Sequence, residues 1–367
     1  MGKVEVSNEL ESFSIELNEN EGSWSISITG YAGEAETVTV PASFAGVPVK
    51  AIKDSAFSNN EQLKQVIIPE GITSIESWTF DGCTGLTTIK LPESLVFIGS
   101  WAFRACINLT SIKFPESLTS MEFEAFEGCT ELRSVRIPKN LSSFSGASFE
   151  GCTELTEITV DENNPFYSSL DGVLFDKAMT TLMWYPEGKK GEYTVPDGII
   201  DIRFGAFVNS KELIGISFPQ SLLFAGNAEF NGEQLAIITV HEANQVYDSK
   251  DGVLFRKKER WLLEYPKGKE GAEYVVPDGT VAISGGAFSK CKQLVTVTLP
   301  ESLEIIGDYA FAECEGITAI TLPLSLRFIC ERAFKGCAKL KSVMLSRKTK
   351  IGHKAFEGFS GQFIYLD

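Results

Sequence analysis

The stretch Leu86-Thr87-Thr88-Ile89-Lys90-Leu91-Pro92-Glu93-Ser94-Leu95-Val96-Phe97-Ile98-Gly99-Ser100-Trp101-Ala102-Phe103 decides the fold of this chain. It returns as Leu109-Thr-Ser-Ile112-Lys-Phe114-Pro115-Glu-Ser-Leu118 through Ala125-Phe126, and again as Leu294-Val-Thr-Val297-Thr-Leu299-Pro300-Glu-Ser-Leu303 through Ala310-Phe311. The closing Phe stands at 57, 80, 103, 126 and 149, in steps of 23 residues. It resumes at 207 and 230, then at 288, 311 and 334, and ends at 356 after a step of 22. A fixed period in this range marks a solenoid, in which each repeat buries its apolar side only against its neighbours.

Within a unit, Leu-x-x-Ile-x-Leu-Pro reads as a short strand. Its Ile and Leu point inward, the residue between them points out, and the Pro ends pairing. Leu95 and Ile98 supply a second inward pair. Ala102-Phe103 with Ala105-Cys106 predicts a tight helical turn whose Phe fills the core. The expected fold is a strand-rich α/β solenoid of right-handed coils, about 23 residues each, with short helical turns. Residues 1–35 lie outside the repeat. Phe13 to Leu17 and Trp24 to Ile28 alternate apolar and polar around Asn18-Glu-Asn-Glu-Gly22, which predicts a β-hairpin cap. The solenoid is expected over 36–357 and a capping strand over 358–367.

The rhythm breaks twice, at Phe149 to Phe207 and at Phe230 to Phe288, each 58 residues apart. Both gaps carry one text: Tyr167 to Asp171-Gly-Val-Leu-Phe175 then Tyr185-Pro186, and Tyr247 to Asp251-Gly-Val-Leu-Phe255 then Tyr265-Pro266. Each reads as one coil enlarged by a β-hairpin, Val173 to Phe175 against Leu182 to Tyr185 in the first. The Asp-Gly steps suit positive-φ turns.

The pattern Leu-x-x-Ile-x-Leu-Pro-x-x-Leu-x-x-Ile-x-x-x-Ala-Phe-x-x-Cys resembles the BspA-like leucine-rich repeat family, and the Tyr-x-Ser-x-Asp-Gly-Val-Leu-Phe insert is similar to that family's long repeat. The resemblance covers roughly residues 36 to 357. It implies a leucine-rich-repeat solenoid and a non-enzymatic protein of host-associated anaerobic bacteria. Such a protein would be secreted or on the cell surface and would adhere to host or bacterial protein or glycan. The start, Met1-Gly-Lys-Val-Glu-Val6, holds no signal peptide. An extracellular location therefore implies that the export signal has been trimmed; a cytoplasmic interaction scaffold is the alternative.

The 367 residues carry a net charge of −16, against the basic face that a nucleic-acid partner needs. No apolar run reaches the roughly 18 residues that a transmembrane helix requires. A monomer is expected. Of eight cysteines, seven (Cys83, Cys106, Cys129, Cys152, Cys291, Cys314 and Cys337) stand three residues after the repeat Phe, and only Cys330 is off that ladder. Stacked coils hold equivalent side chains parallel at about 4.8 Å, whereas a disulfide wants Cβ atoms near about 3.8 Å. The cysteines are therefore expected as free, buried hydrophobes, and no metal site is expected. Asp161-Glu-Asn-Asn164 offers oxygens without the spacing of a calcium loop. With only His241 and His353, no Ser-His-Asp or Cys-His unit assembles, so neither a catalytic residue nor a cofactor is expected.

Trp78 and Trp101 both precede a repeat Phe by two residues, which predicts neighbours on one face. They read as aromatic cover of the turn or as a surface for sugar rings. The outward strand residue runs Ile67, Lys90, Lys113, Arg136 and Thr159, later Ser217, Thr239, Thr298, Thr321 and Met344. Lys90, Lys113 and Arg136 thus form a basic column in an acidic chain. They are the candidate ligand-binding residues for an extracellular-matrix protein, another surface protein or a glycan.

Overall fold

The computed structural model describes residues 12–225, 230 and 232–366. They fall into two compact units, residues 12–189 with 202–210, and residues 190–201 with 211–225, 230 and 232–366.

In the first unit, Phe13–Asn20 and Ser23–Tyr31 form an antiparallel hairpin turning at Glu21 and Gly22, both with positive φ. Such a turn matches the right-handed strand twist. Its second strand pairs in parallel with Val47–Ile52. That strand starts a ladder through Ser74–Ile75, Phe97–Ile98 and Ser120–Met121. A second ladder joins Thr37–Thr39, Gln65–Ile67 and Thr88–Lys90, and Ser134–Ile137 pairs with Glu157–Val160. Residues 109–115 keep Ile112 and Phe114 buried but lie outside any strand. The second unit repeats the plan. One ladder runs from Trp261–Glu264 through Ala282–Ile283, Ile305–Ile306 and Phe328–Ile329 to Lys350–Ile351. Others join Gly191–Thr194, Leu213–Phe218 and Ile237–Val240, and Ala319–Thr321, Ser342–Ser346 and Gln362–Leu366.

At Phe149 the expected helical turn is present as the 3-10 helix Gly146–Phe149, whereas around Phe57, Phe80, Phe103, Phe126, Phe288, Phe311 and Phe334 the segment is instead a third ladder. The N–H groups of Ser55, Phe57 and Asn59 donate to the carbonyls of Ser77, Thr79 and Asp81 one coil on, while Ala56, Ser58 and Asn60 donate three residues back. Alternating the direction of successive N–H groups requires left-handed residues. They occur two before and two after the repeat Phe, as at Trp78 and Gly82, Trp101 and Ala105, Glu124 and Gly128, Tyr309 and Glu313. A helix would direct every N–H inward along its own axis and leave neighbouring coils unbonded.

The repeat Phe rings stack. In the first unit Phe57, Phe80, Phe103, Phe126 and Phe149 follow one another at 4.8–5.8 Å between centroids. In the second, Phe288, Phe311, Phe334 and Phe356 do so at 4.8–5.1 Å. Two tyrosines also stack on repeat Phe rings. Tyr185 lies 5.1 Å from Phe207, and Tyr265 lies 5.0 Å from Phe288. Glu273–Val275 also pairs in parallel with Thr296–Thr298. The stretch from Phe230 to Phe288 therefore holds two coils, with Tyr265 as the ring between them, rather than one enlarged coil. The hairpins are present as expected. Tyr167–Leu170 turns at Asp171-Gly172 into Val173–Asp176, which pairs antiparallel with Thr181–Trp184. Tyr247–Lys250, Val253–Arg256 and Trp261–Glu264 do the same about Asp251-Gly252.

Candidate binding face

The seven ladder cysteines are buried and all eight are free. They also do more than fill space. The thiols of Cys83, Cys106, Cys129 and Cys152 donate to the carbonyls of Phe57, Phe80, Phe103 and Phe126, one coil back, at 3.0–3.3 Å. Cys314 and Cys337 treat Phe288 and Phe311 alike. Burial pushes the Cys83, Cys291 and Cys337 thiols up to about 12, so they are neutral and unreactive. The serine of Pro-Glu/Gln-Ser-Leu works similarly: Ser94, Ser221 and Ser302 donate to the carbonyls of Ile72, Ile199 and Thr280.

The oxygen cluster at Asp161 to Asn164 holds backbone. Asn164 is buried; its amide donates to the carbonyls of Pro138 and Leu141, and its Oδ1 accepts the N–H groups of Phe166 and Tyr167. Asn244 repeats every one of these roles in the second hairpin. His241 Nδ1 accepts the Ala243 N–H just as Asp161 accepts the Asn163 N–H, a turn-capping role that either side chain fills. His353 is exposed. Among the described residues no three His, Cys, Asp or Glu side chains converge as a metal site.

Lys90, Lys113 and Arg136 are exposed. Register places Lys90 beside Ile67, and Arg136 beside Thr159. Lys113 lies in the 109–115 segment without strand pairing. Arg136 is not a free cation. Its guanidinium bonds Glu116 at 2.9 Å and also Asp161. The guanidinium holds the Glu116 carboxyl below its ordinary range; at Asp161 the Asn163 N–H contributes most and Arg136 adds to it. Lys90 and Lys113 have no ion-pair partner among the described residues. Repulsion along the column is thus relieved at one end only. In the second unit the outward column also contains Thr194 beside Ser217, and Val275 beside Thr298, which counting by 23 missed because the hairpins displace them. The Val-Pro-Asp-Gly that follows each was the available signal.

Trp78 and Trp101 do stack, at 5.2 Å and 8°. Phe123 meets Trp101 edge-on, and the Trp101 indole N–H donates to Glu124 and Glu127.

A model of the BspA type leucine rich repeat region matches residues 50–170, 188–252 and 269–366, in six copies. The chain belongs to the BspA type leucine-rich repeat family. Among solved structures, this BspA-type chain is similar to a leucine-rich cell surface protein of Faecalibacterium prausnitzii A2-165, with 25% identity and a TM-score of 0.60 over 96% of this chain and 93% of that one. It is also similar in fold to a leucine-rich repeat protein of Eubacterium ventriosum ATCC 27560, with 20% identity and a TM-score of 0.62 over 96% and 95%. A search of curated protein sequences gave no match. No helix among the described residues is long and apolar enough to cross a membrane.

Proposed function

We propose that this chain is a non-enzymatic adhesion protein, secreted or displayed on the bacterial surface, that binds an anionic protein or glycan through Lys90, Lys113 and Arg136. The organisation would be a hairpin cap to residue 35, repeats to 357 and a closing strand. The family is built for binding rather than for chemistry, and a relative in Faecalibacterium prausnitzii is described as a cell surface protein. The observation that carries the reading is Lys90 and Lys113, exposed and without an ion-pair partner among the described residues, in a chain of net charge −16. An isolated basic strip in an acidic field attracts an acidic patch or a sulfated glycan and does so less as salt rises.

The test is binding to an immobilised sulfated glycan and to a glutamate-rich peptide, with wild type and a Lys90→Glu, Lys113→Glu variant. Binding at low salt should fall at least tenfold in the variant, since like charges then face each other. Wild-type binding by the variant at low salt would remove these lysines from the site. Because Arg136 is held between two carboxylates, Arg136→Glu should disturb that coil as well, so it is left out of the variant.

A further inference from the structure

Trp78 and Trp101 open a different question, away from the strand column. Both sit in the left-handed region, φ 54° and 55°. Large side chains rarely accept that region, yet the ladder demands it two residues before the repeat Phe in these coils. There the side chain is thrown outward. The occupants in successive coils are Ser55, Trp78, Trp101 and Glu124. One face of the Trp78 indole is covered by Trp101. The coil before it carries only Ser55, which is exposed. Trp78 is itself 38% exposed, and it has no second ring or cation against it among the described residues.

The second unit shows what the same position takes when its neighbour is long. Tyr309 stands two before Phe311, and Arg332 two before Phe334. The Arg332 guanidinium lies 5.8 Å from the Tyr309 ring centroid, and its Nη1 donates to the Tyr309 hydroxyl at 2.9 Å. Here the chain supplies its own cation to the aromatic on the adjacent coil.

We infer that the outer face of Trp78, above Ser55, is a docking place for an arginine side chain of a partner protein. The charge around it fits. Asp54 is exposed beside Ser55, and Glu76 lies two residues before Trp78. Arg104, three residues after Trp101, is engaged by both oxygens of Asp81. Tryptophan is the best ring for a cation, and arginine the commoner cation at such sites. A guanidinium stacked on Trp78 can also donate in its plane to carboxylates at its edge.

The experiment follows the indole N–H resonances of the full chain by NMR. The probes are N-acetyl-arginine amide, the neutral isostere N-acetyl-citrulline amide, and methyl β-glucoside. Trp24 and Trp261, exposed elsewhere, serve as internal controls. The arginine probe should shift Trp78 saturably, Trp101 less, and the controls not at all. Citrulline should bind about two- to fivefold more weakly, in keeping with the charge dependence of cation–π contacts at exposed sites. Ser55→Trp should abolish the shift by filling the place, and Ser55→Ala should keep it. Trp78→Leu, of similar apolar character, should lose the response, read then on Trp101. Equal shifts with citrulline, a larger response to the glucoside, an unaltered response in Ser55→Trp, or equal shifts at Trp24 and Trp261 would each overturn the assignment. None of these outcomes depends on Lys90 and Lys113.

Discussion

The cysteine ladder shows how one side chain serves a repeat. A thiol is small enough for the crowded turn and long enough to reach the carbonyl one coil back. Ser210 occupies the equivalent place after Phe207, and its buried hydroxyl has no partner among the described residues. The C–O bond is shorter than C–S, and a desolvated hydroxyl without a partner costs roughly 1–3 kcal/mol. Cys129→Ser should therefore destabilise more than Cys129→Ala in denaturant titrations; the reverse order would mean that the thiol hydrogen bond matters little. The thiols also set an alkaline limit. The folded values of Cys83, Cys291 and Cys337 stand above the unfolded one, so the stability these thiols contribute is complete below about pH 9 and is lost as pH rises toward about 12. Thermal melts of the native protein should fall through that window, where Tyr185 and Tyr265, also pushed up to about 12 by burial, add to the loss. At pH 8 the folded protein should yield at most Cys330 to a thiol reagent, and all eight cysteines once denatured. Rapid reaction of several thiols in the native state would contradict this burial. At the same scale, Asn164→Ala removes an amide with four hydrogen bonds, two given and two accepted. With Pro138 and Leu141 carbonyls and two N–H groups left bare, the loss should be about 3 kcal/mol or more. A loss under about 1 kcal/mol would mean that water replaces it.

At the scale of the element, the turn segment depends on its two left-handed residues. Gly128 has φ 72°, and a Cβ built there would come no nearer than 3.8 Å to any neighbour. The cost of Gly128→Ala is then torsional rather than steric, about 1 kcal/mol. Ala105 occupies the same position one coil earlier at φ 56°. Ala105→Gly should relieve that strain and come out neutral or slightly stabilising, the unfolded chain's extra freedom offsetting part of the gain. Equal losses for both variants would show that the segment tolerates right-handed geometry after all. The period of 23, the hairpin pair and the inward Ile and Leu were legible because each leaves a local pattern in the sequence. The left-handed residues were not, because Trp78, Lys290 and Glu313 carry no local preference for positive φ. They adopt it because the coils on either side take their N–H and C=O groups.

At the scale of the whole molecule, each unit's core is a stack of equivalent rings, and every ring borrows its burial from the next. Phe103→Ala should cost about 3–5 kcal/mol, as truncation of a fully buried Phe does. A cost under about 1 kcal/mol in a denaturant titration would break the register argued here. The sequence by itself determined the repeat, the apolar column, the free thiols and the exposure of Lys90, Lys113 and Arg136, because all of these follow from position within a fixed period. Only the tertiary structure decided that Tyr185 stacks on Phe207 and Tyr265 on Phe288, that the segment around the repeat Phe is a ladder rather than a helix in most coils, and that Arg136 is clasped by Glu116 and Asp161 while Trp78 keeps an open face. These depend on which residue stands one coil away, twenty or more positions along the chain. That distance is set by where the backbone closes each turn, and the long hairpins shift it.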